Sequence, residues 1–86
     1  MGVGNRGSAL ESLLAALIVE LARNDGLQID IDAESSRGVV VLEIESNGRR
    51  PAVTSWRFVL ASDLAARIGA TVTTRPEGAG YVVHLA

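Results

Sequence analysis

The chain has 86 residues and a hydrophobic fraction of 48%, enough for one small core and too apolar for a disordered chain. It has no cysteine, which excludes a disulfide framework and a thiolate metal site. A net charge of −2 and a pI near 5.2 argue against general nucleic-acid binding.

Residues 1–7, MGVGNRG, are Gly-rich and read as a flexible N-terminus, leaving a single domain over 8–86. Ser8 followed by Glu11 has the spacing of a capping box. Leu10, Leu13, Leu14, Leu17, Ile18 and Leu21 then recur as one apolar stripe, which predicts a helix ending at Asn24-Asp25-Gly26, with Gly26 in the left-handed position. Glu11 and Glu20 interrupt the apolar run. It is also too short for a membrane span, so the chain is expected to be cytoplasmic. LQIDIDA alternates, with Leu27, Ile29, Ile31 and Ala33 inward and Gln28, Asp30 and Asp32 outward. After a turn at ESSRG, Val39–Glu45 forms the second strand, with Val40, Leu42 and Ile44 inward and an antiparallel hairpin expected. A loop over 46–55 leads to a second helix from about Ser55 to Ile68, where Leu60, Ala61, Leu64, Ala65 and Ile68 share a face and Gly69 closes it. ATVTTR and YVVHLA are two further strands around a turn at 76–80. The order is αββαββ. The expected class is α+β, a two-layer sandwich with both helices on one face of a four-stranded sheet, antiparallel or mixed.

Three stretches carry a resemblance to a known family. LESLLAALIVELARNDGLQIDID resembles the N-box helix and following strand of the ATP-binding domain of sensor histidine kinases, the GHKL or Bergerat fold. VVVLEIESNG resembles the strand that delivers the family's Asp-x-Gly motif. LASDLAARIGATVTTRPEGAGYVVHLA resembles its C-terminal helix and hairpin. The resemblance implies a reduced Bergerat-like fold over nearly the whole chain after Gly7.

The functional positions depart from the family pattern. Where the N-box presents its magnesium and nucleotide ligands, this chain has Ala16 and Glu20. The adenine-binding Asp is replaced by Ser46, followed by Asn47 and Gly48, and the motif's second glycine by Arg50. The lid is shortened to about seven residues. The phosphate-cradling Gly-rich motif reads Ser55-Trp56-Arg57-Phe58, with no glycine to let backbone approach phosphate. The resemblance therefore implies a degenerate domain without ATPase chemistry, cofactor or metal. It is similar to the C-terminal domain of bacterial histidine phosphotransferases, in which such a fold helps dock a response-regulator receiver domain. The helical hairpin that carries the phosphorylated histidine there is not among these residues.

The individual side chains have plainer readings as well. His84, the only histidine, alternates within a strand and is expected as an ordinary strand residue. Arg49, Arg50 and Arg57 cluster near the start of the second helix, as a solvated loop or as an anion or partner site with Trp56. Trp56 and Phe58 are expected chiefly to cap the core in place of the lid. Glu20 reads as a solvated helix residue, and Asp30, Asp32, Glu43 and Glu45 as the wet face of a sheet. The leading expectation is a non-catalytic docking or scaffold module in two-component signalling. Two alternatives stand beside it: a residual ATP or ADP binder, and a small homodimeric assembly domain that pairs through a strand edge or the bare sheet face.

Overall fold

In the computed structural model the backbone is described for residues 2–85 and side chains for residues 7–85. Among these residues the chain forms helix α1 (Gly2–Arg23), strands β1 (Ile29–Ser36) and β2 (Val39–Ser46), helix α2 (Trp56–Arg67), and strands β3 (Ala70–Thr74) and β4 (Ala79–Leu85). The strands form one sheet in the order β1-β2-β4-β3, every neighbouring pair antiparallel. That settles the strand order the sequence left open. Because β2 and β3 are each antiparallel to β4, they run parallel to each other, and α2 supplies the crossover such a pair needs. Both helices pack on one face, giving the expected α+β two-layer arrangement.

The core sits between the layers. Leu13, Leu17 and Leu21 of α1 are fully buried against Ile44, Ala61, Ala65, Tyr81 and Val83. Their spacing of four keeps them on one helix face. The small residues Ala61 and Ala65 are the buried face of α2, which brings its backbone close to α1 and the sheet.

Several local expectations change. α1 begins at Gly2, so Ser8 and Glu11 lie within the helix and form no capping box. At its other end Asp25, not Gly26, adopts the left-handed conformation (φ 65°), and the Gly26 amide donates to the Leu21 carbonyl at 3.0 Å. This is the helix-closing bond between the second residue after the cap and the third from last, and Asp tolerates the left-handed position. ESSRG contributes only two residues to the turn: β1 runs through Ser36, and Arg37 (φ 53°) and Gly38 (φ 78°) join the strands. Two successive positive φ values are those of a tight hairpin turn whose twist matches the strands. Leu27 lies before β1 and is 93% exposed, and Ile31 is half exposed, because the helices cover the centre of the sheet better than its β1 edge. Leu60, assigned to the inward face of α2, is also exposed.

Candidate functional site

Glu20, Ser46, Gly48, Arg49, Arg50, Trp56 and Arg57 fall on the end of α1, the loop between β2 and α2 with its flanking strand residue, and the first turn of α2. Ser55 caps α2: its hydroxyl accepts from the Arg57 amide at 3.2 Å, supplying a partner for a helix N-terminal donor. This cap sets where α2 starts, and so where Trp56, Arg57 and Phe58 project.

The three side chains go different ways. Phe58 turns inward and stacks on Tyr81, with ring centroids 5.8 Å apart and planes at 21°. Trp56 is 64% exposed, so it does not cap the core, as it was expected to do with Phe58. Arg57 lies between them in role. Its guanidinium carbon sits 4.4 Å from the centroid of the Trp56 ring, while Nη1 reaches the Glu20 carboxylate at 3.3 Å.

Glu20 is accordingly no solvated residue. It is buried on the face of α1 that meets α2. Its other carboxylate oxygen accepts from the Asn24 side-chain amide at 3.1 Å. Burial works to raise the Glu20 carboxyl. The hydrogen bonds from Ser55, Arg57 and Asn24, with the Arg57 charge, outweigh that and hold it below its ordinary value. Sequence reasoning weighed Glu20 only as a ligand or a wet residue. The missed signal was its place one residue from Leu21 within the apolar stripe, where a carboxylate needs a cation, and Arg57 at the start of the next helix provides one.

Tyr81 lies beneath this pair on β4. It is fully buried, and its hydroxyl has no hydrogen-bond partner among the described residues. Burial, with the nearby Glu20 charge, pushes its phenol up to about 12.

The loop after β2 is packed against the end of α1. The Asn47 side-chain oxygen accepts from the Leu27 and Gln28 amides, each at 3.0 Å, and the Arg49 amide donates to the Asn24 carbonyl at 2.7 Å. The Ser46 hydroxyl accepts from the Gly48 amide at 3.0 Å. Gly48 is pressed onto residues 24–26 so closely that an added Cβ would collide with the Asn24 carbonyl oxygen and the Asp25 backbone. This stretch serves as a clasp, with its polar groups turned onto the chain itself. Ala16 is half-buried and packs at the edge of the core.

The arginines do not form one cluster. Arg49 pairs with Asp25 at 2.7 Å, both exposed. Arg50 donates to the carbonyls of Arg75, at 3.1 Å, and Pro76. Arg57 turns inward to Glu20. The exposed surface at this end includes four large apolar side chains: Val53, Trp56, Val59 and Leu60 are each at least 40% exposed. The last three share a helix face by their spacing.

His84 is exposed on the sheet face away from the helices, opposite Val41 and Thr71. Among the described residues no group of three or more His, Cys, Asp or Glu side chains is arranged to hold a metal ion, and no helix is long and apolar enough to cross a membrane. No protein-family model matches the chain, and no curated protein matches it.

Proposed function

We propose that this chain is a non-catalytic, histidine-kinase-like docking module, and that it engages a protein partner through the outward face of α2. The observation that carries the reading is the pinned tryptophan. Trp56 is an exposed aromatic whose ring is stacked by Arg57, and Arg57 is anchored in turn by buried Glu20. Tryptophan and arginine are the commonest anchors of protein interfaces. A ring already held in place loses less conformational freedom on binding than a mobile one. Val59 and Leu60, three and four residues on from Trp56 along the helix, extend the same apolar surface.

The partner class follows from the resemblance of the three framework stretches to kinase ATPase domains: a response-regulator receiver domain. The internal engagement of Ser46, Asn47, Gly48 and Glu20 supports docking over nucleotide binding, since these groups are already bonded within the chain. Cytoplasmic placement is part of this proposal. Trp56 is the only tryptophan, so its fluorescence reports directly on the surface. Titration with receiver domains is expected to shift its emission to the blue at micromolar concentration. An unchanged emission, or amide shifts around Ser46–Gly48 on adding Mg-ADP, would sink the reading.

A further inference from the structure

The other face of the molecule carries a separate feature. β1 is an edge strand of eight residues, paired only with β2. After Ile29 every one of its residues is exposed. Alternate backbone amides and carbonyls of an edge strand point away from the sheet with no strand to meet. Its outward side chains are Asp30, Asp32 and Glu34, and across the ladder Asp30 faces Glu45 and Asp32 faces Glu43. These five carboxylates share the sheet face that the helices leave bare. Among the described residues Arg75, 3.2 Å from Glu45, is the only cation bridged to them. A cleft of about 410 Å³ opens there, lined by Asp32, Ala33, Glu34, Val41 and Glu43. Like charges directly opposite one another on a sheet weaken it, so the arrangement is improved by a cationic neighbour.

We infer that β1 is a docking edge for an extended basic segment of another protein. The segment adds as a fifth strand, with its Lys or Arg side chains over the carboxylate face and its alternate apolar side chains beside half-exposed Ile31. The unpaired edge selects a strand, because backbone hydrogen bonds give affinity in strand addition while side chains at every second position give specificity. Charge selects a basic one. A second copy of this chain is disfavoured: in an antiparallel β1–β1 pair, Asp30, Asp32 and Glu34 would meet their own kind, and β1 contains no basic residue. The surface is distinct from the α2 face, so this inference does not rest on the docking reading above.

The test is amide NMR of the labelled chain with a blocked eight-residue peptide of alternating Arg and Val. The same Arg-Val peptide N-methylated at every backbone amide serves as control, keeping charge and length but offering no backbone donor to a strand edge. Shifts are expected over Ile29–Ser36, with slowed exchange of β1 amides and about tenfold weaker binding of the control and of the Asp32→Asn/Glu34→Gln variant. That variant relieves like-charge contacts, so its thermal midpoint is expected at or above the parent's. Equal affinity for the two peptides would mean plain charge attraction and would overturn the inference. So would shifts centred on α2, no shift at about 1 mM peptide, or a concentration-dependent dimer abolished by altering β1.

Discussion

At the scale of single residues the decisive group is the Glu20–Arg57 pair with Tyr81 beneath it. Both side chains of the pair are more than four-fifths buried, so truncating one leaves the other short of partners. Glu20→Gln is expected to cost about 2 kcal/mol, below the range of a fully buried pair because water still reaches both groups. Urea unfolding of the single variants and the double variant checks this, and a coupling near zero would contradict it. The folded Glu20 carboxyl titrates below its unfolded value. Its contribution is therefore full above the ordinary glutamate value of about 4.3 and is lost as pH falls through the lower folded value. Stability is expected to drop in that acid window, and the drop to shrink in Glu20→Gln.

Tyr81 behaves in the opposite sense. Its phenol is raised to about 12, so the unfolded chain releases this proton first and stability declines as pH climbs from about 10 towards the folded value. As the only tyrosine, its absorbance near 295 nm is a clean reading, expected to rise together with loss of structure. Removing the unpartnered hydroxyl with Tyr81→Phe is expected to stabilise by about 1 kcal/mol, since the ring stack on Phe58 is kept and an unsatisfied group is lost. A destabilised variant would mean that the hydroxyl has a partner in solution.

At the scale of elements, α2 carries one buried face and one exposed face, the latter being the proposed docking surface. Ala61 and Ala65 pack inward, and Trp56, Val59 and Leu60 look outward. Trp56→Ala is expected to leave stability within about 0.5 kcal/mol, as for other exposed side chains. It is expected to weaken partner binding by about 30-fold, the scale of an interface anchor. Thermal melts and receiver titrations of the same variant separate the two effects. The β1–β2 hairpin depends on its turn. Gly38 has φ 78° and open space around it, so Gly38→Ala adds strain without a clash, and about 1 kcal/mol of destabilisation is expected by chemical denaturation.

For the molecule as a whole, the layers divide the surface chemically. The helix side presents the apolar α2 patch near one end, and the bare sheet side gathers carboxylates on β1 and β2. Thr71, Thr73, Val82 and His84 make the other half of that bare face nearly neutral. A net charge of −2 hides this asymmetry, because Arg49, Arg57 and Arg67 are engaged in ion pairs elsewhere on the chain, while Arg75 bridges to the carboxylate face only at Glu45.

Periodicity is a local property, and local properties were legible in the sequence. The stripe of Leu13, Leu17 and Leu21, the alternation of Val40, Leu42 and Ile44, the Ser55 start of α2 and the antiparallel hairpin all follow from backbone geometry within short, continuous stretches of chain. The αββαββ order and its two layers come from the same source. Contacts between distant segments were not legible. Glu20 and Arg57 are 37 residues apart, and nothing near either one reveals the other. The inward turn of Phe58, the outward turn of Trp56 and the dispersal of Arg49, Arg50 and Arg57 depend on where α2 lands against α1. The exposure of β1 depends on how much of the sheet two helices can cover. Burial and ion pairing belong to the packed layers, and only the tertiary structure decides them.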